Sequence, residues 1–423
     1  MIKFFITFVT LTFLSSPAFC KEYRIEELIN IAEQNSSNIR SAQYLATSQK
    51  RFANQQKYWE NPTIGIDRIW GENTFSINQS IPFYGKLKSK YNIEEAEYRI
   101  LETRRDNLSL FVKAEVFSLI YQYKALKTKV ELAQKRLRRL NLVDRYLFAI
   151  TVNSPTKKAQ RRITKSKIRL VERDLLKLQN KLYQTWNEAN VYLNLKDEPT
   201  NINIEWLSND NYKGKEFFIS RALDSNLDLK EQEVLADKYK HELSFAKLEK
   251  MPDFKVSLTR QNGSAYGAGS AGINQDDTGV GLSVSIPLFD RNKEKISSAK
   301  SKIQSQKHAL EFYRKRLINS LSNDISEYET SLKLARRFST KDIKKIVRSL
   351  SIANSNFKRG VLDFVTYIEL DSQEYQIIDE IMDTQINLAN SYSRLMIKVG
   401  SFTVPMSSSK LTLNSINSKK NDK

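Results

Sequence analysis

The sequence contains few residues that break helices. Its 423 residues include only 12 glycines and 8 prolines, and most of these fall within residues 62–85 and 252–287. Long stretches outside the two windows, such as 86–153, contain neither residue. Because glycine and proline interrupt helices most strongly, the sequence predicts two short non-helical windows joined by very long helices.

The residues used most often in catalytic and metal sites are also scarce. Cys20 is the only cysteine, and the two histidines, His241 and His308, lie far apart in charged segments. One cysteine forms no internal disulfide, and two separated histidines suit neither a metal site nor a catalytic triad. The sequence contains no nucleotide-binding signature such as GxxxxGK[ST]. We therefore expect no enzyme activity, no cofactor and no metal.

Long apolar runs are absent after the first twenty residues, so no segment approaches the roughly 20 residues of a membrane-spanning helix. Residues 1–20, "MIKFFITFVTLTFLSSPAFC", combine a basic start, an apolar middle and a small-residue exit. This pattern predicts a signal peptide that is cleaved before Lys21. A lipid-modified Cys20 is the alternative, although Pro17, Ala18 and Phe19 form a poor context for that modification.

The formal net charge of +20 raises the question of nucleic-acid binding. Basic and acidic residues are interleaved along predicted helices, as in "RRITKSKIRLVERDLLK" at 161–177, rather than gathered in an arm. Together with the export signal, this distribution predicts solvated helix faces and no nucleic-acid partner.

Apolar residues between 86 and 153 repeat every seven positions, which is typical of a coiled coil. The segment "SP" at 154–155 then supplies a helix start, and a second periodic run extends from 156 to 198. Two long helices joined by a tight turn must lie antiparallel. The two neighbouring apolar rows of the first helix are Val112, Leu119, Leu126, Ala133, Leu140 and Leu147, beside Val116, Tyr123, Val130 and Leu137.

The chain also contains an internal repeat. The segment "IAEQNSSNIRSAQ" at 31–43 aligns with "RALDSNLDLKEQE" at 221–233, an offset of 190 residues. We predict a signal peptide (1–20), a first repeat (21–200), a linker (201–216), a second repeat (217–400) and a polar tail (401–423). Each repeat would hold a short helix, a β-hairpin (63–82 or 253–287) and a long helical hairpin (86–198 or 290–399).

Each β-hairpin alternates apolar residues with polar or small ones, and prolines mark its ends. The turn of the first hairpin is predicted at "GEN" (71–73), and a Gly- and Ser-rich loop at 261–277 enlarges the second. An ordinary half-buried hairpin would show the same alternation, but the export signal and the strand lengths favour strands of an outer-membrane barrel. The predicted lipid-facing residues are Phe75, Ile77, Ile81, Phe254, Val256, Leu258, Val280, Leu282, Val284 and Ile286, and the predicted barrel-to-helix junctions are Pro62, Pro82, Pro252 and Pro287.

Four strands are too few to close a membrane barrel, since the smallest such barrels have about eight. Closure therefore requires several chains. Three chains would supply twelve strands.

Taken in order, these segments resemble the TolC family of outer-membrane efflux ducts, over roughly residues 23–400. The similarity is closest to the heavy-metal-efflux branch typified by CzcC and CusC. The segments that carry it are "YRIEELINIAEQNS", "YWENPTIGI", "INQSIPFYGK", "VSIPLFD", "FKRGVLDFVTYIELDSQ" and "LANSYSRLMIKVG".

The resemblance implies a homotrimer in outer-membrane lipid, with a twelve-stranded β-barrel continued by a periplasmic α-barrel. It also implies two partners, a periplasmic adaptor and an inner-membrane pump of the RND, ABC or MFS type. The chain would be a passive duct for efflux or type I secretion. A periplasmic coiled-coil scaffold or adaptor without a membrane barrel remains the alternative.

The resemblance further implies functional positions at the periplasmic end. Gly360 matches a glycine at the family's helix tip, whereas the corresponding first tip has no glycine. Acidic rings close the family's duct, and by position Thr366 and Glu369 fall where the acids lie, with Asp371 as a nearby alternative. The expected adaptor-docking residues are Thr151, Val152, Asn153, Ser154, Gly360, Val361, Leu362 and Asp363.

Overall fold

The structure is a computed structural model, and it describes residues 22–69, 72–149, 154–196, 198, 201–207, 212–264, 274–286 and 289–405. Several predicted features therefore lie outside the described residues. They are the signal peptide with Cys20, the tip residues Thr151, Val152 and Asn153, the junction Pro287, and most of the C-terminal tail.

The same order of elements occurs twice, as the internal repeat predicted. The first repeat contains β1 (Glu22–Arg24), α1 (Ile25–Asn35), α2 (Ser37–Gln55), β2 (Thr63–Ile69), β3 (Glu72–Ile81), α3 (Lys86–Ala149) and α4 (Pro155–Leu193). After β4 (Asn201–Asn203), the second repeat contains α5 (Lys215–Ser225), α6 (Leu227–Glu249), β5 (Phe254–Ser264), β6 (Asn274–Val284), α7 (Lys293–Arg337), α8 (Thr340–Lys358) and α9 (Phe364–Val399).

Helix α3 is the central spine of the protomer. It runs unbroken for 64 residues, which corresponds to a length of roughly 100 Å. Its buried residues contribute to three successive hydrophobic clusters, through Val116 in the first, Leu132 in the second and Leu140 in the third. Both predicted apolar rows face this core: most of their members are buried, and Ala133 and Leu137 are half-buried. The coiled-coil prediction is confirmed.

The second repeat differs from the first in its descending arm, which is divided into α7 and α8. The helix stops at Phe338, whose φ of −104° and ψ of 77° are not helical. Ser339 then caps α8, because its side chain accepts a hydrogen bond from the Lys341 backbone N–H at 3.2 Å. The two copies are therefore alike in topology but not in the continuity of their long arms.

Each long hairpin is fastened at its C-terminal end by an asparagine. In the first repeat, the Asn35 side-chain amide donates to the Leu193 carbonyl at 2.8 Å. In the second repeat, the Asn226 amide donates to the Lys398 carbonyl at 2.8 Å. Both asparagines lie at the turn between two short helices. A hydrogen bond to an otherwise unpaired helix-end carbonyl thus joins the short helices to the long ones twice.

The strands form two sheets. Strands β1 and β4 pair in parallel, and β2, β3, β5 and β6 form a continuous antiparallel sheet in that order. The pairing of β3 with β5 joins the two repeats within one sheet. Among the described residues, no helix is both long and apolar enough to cross a membrane.

The structure corrects two boundaries in this sheet. Glu72 and Asn73 pair with Ile69 and Arg68, so they belong to β3 and not to the predicted turn. The ladder between β5 and β6 extends to Ser264 and Asn274, so much of the predicted loop at 261–277 is strand. Polar and small residues lack the apolar alternation used for the prediction, but their backbones still form ladder hydrogen bonds.

The ends of α8 and α9 provide a matched test of backbone packing. Gly360 and Gly400 both have positive φ, 75° and 80°. A Cβ at Gly400 would lie 2.0 Å from the Ser225 carbonyl oxygen, whereas a Cβ at Gly360 would have no atom within 4 Å. We expect Gly360→Ala to cost about 1 kcal/mol from backbone strain alone. Gly400→Ala should lower the stability several times more. The shift in the midpoint of thermal unfolding measures both effects. Equal shifts for the two variants would contradict this packing.

Candidate functional site

The four-stranded sheet has one apolar face. The register places Ile77 opposite Ile64 and Leu258, and Leu258 opposite Val280, so these side chains lie on the same side. Val256 and Leu282 form the next apolar pair on this face. Every predicted lipid-facing residue that the ladder includes falls on this side, and all of them except the half-buried Ile81 are at least 37% exposed. Exposed apolar side chains include Ile64 (75%), Ile66 (70%), Val280 (79%) and Leu282 (70%).

The opposite face of the sheet carries small and polar residues. One row across the strands runs from Gly65 through Ser76 and Thr259 to Gly279. A neighbouring row pairs Ser257 with Gly281, where an added Cβ would lie 2.4 Å from the Ser257 Oγ atom. The sheet is therefore two-sided, with an apolar face suited to lipid and a polar face suited to water.

An ion pair holds the place where this sheet meets the helices. The Asp253 carboxylate accepts hydrogen bonds from the Lys86 ammonium and from the Phe83 backbone N–H, both at 2.8 Å. Lys86 is buried and also donates to the Met251 carbonyl at 2.9 Å. The first residue of α3 is thus tied to the residue that precedes β5.

The described junction prolines adjoin strand ends. Pro62 immediately precedes β2, Pro82 immediately follows β3, and Pro252 lies two residues before β5. Proline donates no ladder hydrogen bond, so these positions suit a strand boundary.

The second helix tip is a well-capped turn between α8 and α9. Gly360 adopts a positive φ there, and the Val361 backbone N–H donates to the Asn356 carbonyl at 3.0 Å. Asp363 caps α9 by accepting from the Thr366 backbone N–H at 3.0 Å. The Thr366 hydroxyl also donates to this carboxylate, and the hydrogen bonds from the Thr366 side chain and backbone lower the pKa of Asp363. Val361 and Val365 are 74% and 73% exposed, so the tip carries apolar side chains on its surface.

The first tip is described only from Ser154 onward. Ser154 has extended backbone angles and precedes Pro155, the first residue of α4, as the sequence predicted. Its side chain makes no capping hydrogen bond. The two tips thus differ in their capping chemistry as well as in sequence.

The three residues considered for the constriction occupy different environments. Thr366 and Glu369 are exposed on the first turns of α9, and the Gln373 side chain donates to Glu369 at 2.9 Å. Asp371 is only 1% exposed. Its carboxylate accepts from the Arg136 Nε atom at 2.8 Å and also pairs with Arg139. Asp371 is therefore committed to the interior of the protomer, which does not suit a side chain lining an open passage.

Sequence reasoning missed the role of Arg136 and Arg139. The two side chains are three residues apart on one face of α3, and Arg136 also lies over the Tyr375 ring at 4.4 Å. The sequence did contain a signal for this pairing, since the two arginines lie beside the apolar rows of α3. Arginines removed from water need an acidic partner. The acid, Asp371, lies 232 residues away from Arg139 in the sequence and could not be paired with it by spacing.

Solved structures share this fold over most of the chain. CusC aligns with a TM-score of 0.71 and 14% identity, covering 89% of this chain and 92% of CusC. The outer-membrane channel OprN gives 0.71 and 12%, covering 89% and 90%. The open MtrE channel of Neisseria gonorrhoeae gives 0.70 and 15%, covering 89% of each chain. The fold is therefore that of outer-membrane channel proteins.

Residues 218–401 match the family model described as outer membrane efflux protein. This match covers the second repeat, and together with the shared fold it confirms the resemblance to the TolC family of outer-membrane proteins. No curated protein matches the sequence significantly. Since CusC and OprN align with the same TM-score, the heavy-metal-efflux branch stays a prediction.

The Asp371 cluster gives a direct stability test. In Asp371→Asn, the charges of Arg136 and Arg139 lose their buried counterion, and we expect the free energy of unfolding to fall by about 3–5 kcal/mol. Glu369→Gln, an exposed change two residues away on the same helix, is the control and should shift it by less than about 0.5 kcal/mol. Thermal unfolding in detergent would measure both. A near-neutral Asp371→Asn would refute the assignment of a structural ion pair.

Proposed function

We propose that this chain is the outer-membrane duct of a tripartite efflux or type I secretion system, which conducts substrates passively from the periplasmic side to the cell exterior. The observation that carries the proposal is the four-stranded sheet, apolar on one face and polar on the other, which leads directly into α3, a helix of roughly 100 Å. The alternative function, a periplasmic scaffold or adaptor, would leave this apolar face exposed to water.

The edges of the sheet support assembly of several copies. Strands β2 and β6 each pair on one side only within the described chain. Unpaired strand edges are costly in lipid, because no water is present to satisfy their backbone groups. Pairing β2 of one copy with β6 of the next satisfies both edges, and three copies close a barrel of twelve strands. A homotrimer, which the family resemblance implies, would satisfy this closure.

The duct would work with a periplasmic adaptor and an inner-membrane pump of the RND, ABC or MFS type. In this proposal the pump supplies the energy and selects the cargo, and the sequence of the duct contains no nucleotide-binding signature. The two helix tips, at 151–154 and 360–363, are the proposed adaptor contacts. The exposed Val361 beside the charged Asp363 is a suitable surface for such a contact.

The proposed constriction lies one to two turns into α9. Threefold repetition would place three copies of Glu369 around the axis, where carboxylates favour cations. Thr366 would contribute a neutral ring one turn closer to the tip. Since Asp371 pairs with Arg136 and Arg139, Glu369 is the principal acid of this passage.

Two neighbouring residues of β6 test the membrane assignment. Leu282 lies on the apolar face and Ser283 on the polar face. Leu282→Lys should reduce the yield of heat-modifiable trimers in outer-membrane fractions, because a lysine facing lipid costs up to roughly 2–4 kcal/mol per copy. Ser283→Glu places a charge on the water-facing side, directly opposite Lys255, and should assemble normally. Equal assembly of both variants, or recovery of the unmodified protein as a soluble periplasmic monomer, would overturn the proposal.

Conductance tests the constriction separately. In planar bilayers, trimers of the unmodified chain should prefer K⁺ over Cl⁻, and Glu369→Gln should reduce this preference because it removes the acidic ring. Glu374→Gln, one turn and a residue further along α9, is the matched control. If the permeability ratio changes in Glu374→Gln but not in Glu369→Gln, the constriction does not lie at the proposed position.

A further inference from the structure

The helices at the tip end of the protomer form a row whose two outer members are basic. The helix contacts run from α4 to α3, from α3 to α9 and from α9 to α8. Residues 155–170 of α4 contain seven cationic side chains and no acidic one. Helix α8 contains five cationic side chains and a single acid, Asp342. The inner helix α9 differs, since the acids Glu369, Asp371 and Glu374 lie in its first three turns.

Few of the α4 cations are used within the protomer. Arg161 pairs with Asp144 at 3.2 Å, and Lys167 donates to the Ser372 hydroxyl on α9. Four others are exposed and form no ion pair with the described residues: Lys158, Arg162, Lys165 and Arg169. Their spacing of four, three and four residues places them on one face of the helix. This face is turned away from Thr164 and Ile168, which are buried.

An aromatic side chain adjoins this basic face. Phe148 is 64% exposed near the end of α3, and the Arg161 guanidinium lies 4.4 Å from its ring centroid. Phe148, Lys158, Arg162 and Lys165 line one open pocket together with Arg161. The pocket can therefore accept a carboxylate beside an apolar group.

Closure into a ring does not neutralise this charge. In a ring of identical copies, the outer helix α4 of one copy lies next to the outer helix α8 of the following copy. Helix α8 adds further exposed cations, Lys344, Arg348 and Lys358, that have no ion pair among the described residues. The seam between copies is therefore basic on both sides, and like charges repel across it. An external acidic partner would remove that repulsion.

We propose that the tip end of each α4–α8 seam is a docking groove for an acidic helical hairpin, the tip of the periplasmic adaptor. This inference rests on the proposed function, because the seam exists only in the closed ring and the adaptor is the partner expected at the tips. It adds the chemistry of that partner: glutamates and aspartates that meet Arg162 and Lys165, and an apolar side chain that meets Phe148. The second tip, with exposed Val361 and Val365, offers a mainly apolar contact instead.

Binding to purified full-length trimer tests the inference. The probes are two synthetic helical hairpins of identical length that differ only in four tip positions, glutamate in one and glutamine in the other. Fluorescence anisotropy should show at least about tenfold tighter binding of the glutamate hairpin. This preference should shrink between roughly 0.05 M and 0.5 M salt, because added salt screens the exposed charges.

A matched pair of double variants locates the site. Arg162→Glu with Lys165→Glu reverses two charges of the proposed groove and should abolish the preference for the glutamate hairpin. Lys177→Glu with Lys181→Glu reverses two exposed charges further along the same helix and should preserve it. Equal affinity for the two hairpins, or equal loss in both double variants, would overturn the proposal.

Two further measurements separate the remaining outcomes. The glutamate hairpin could fail to bind while phosphatidylglycerol vesicles bind the trimer and lose that binding in the Arg162→Glu and Lys165→Glu double variant. That result would show that the surface contacts anionic lipid instead of an adaptor. Light scattering of the purified chain establishes the trimer independently. A chain that is not trimeric would refute the proposed function, whereas a trimer without glutamate-hairpin binding would refute only the acidic partner.

Discussion

The contact among Lys86, Phe83 and Asp253 fixes the relation between sheet and helices on which the rest of the structure depends. Strand hydrogen bonds run between neighbouring segments and helix hydrogen bonds run within one segment, so the chain must change partners at this boundary. Asp253 satisfies the backbone N–H of Phe83 as β3 gives way to α3. The Asp253 backbone also exchanges hydrogen bonds with Ser285 just after β6, at 3.0 and 3.1 Å. One residue thereby orients both repeats.

The interior of the protomer is organised along α3. Three hydrophobic clusters follow one another along this helix, and each includes residues of α9 or its approach. At the tip end, Asp371 pairs with Arg136 and Arg139, and this ion pair fixes the register of α9 against α3. An apolar seam alone permits sliding by a heptad, whereas a buried ion pair is satisfied in one register only. The tips are therefore held at a defined height relative to each other.

Much of the fold could be predicted from the sequence, because periodicity and helix breakers act locally. The seven-residue rows of α3, the capping by Asp363 and the alternation along β5 all follow from neighbouring residues. Contacts between distant segments could not be predicted in this way. Lys86 and Asp253 are 167 residues apart, and no spacing or repeat relates the two residues. The break at Phe338 has only a weak local signal, a helix start at Ser339 with Asp342 three residues later, because no glycine or proline lies there.

That break gives the two long arms different mechanical properties. The unbroken helix α3 is stiff along its length. A displacement at its tip end is therefore transmitted almost fully to the sheet. The α7–α8 arm is interrupted at Phe338 and Ser339, where the regular backbone hydrogen bonding of a helix is not continuous. Within the second arm only α9 is continuous from the tip, and Asp371 ties it to Arg136 and Arg139 of α3. A load applied at the second tip therefore reaches the sheet through α9 and α3 and bypasses the interrupted α7–α8 arm.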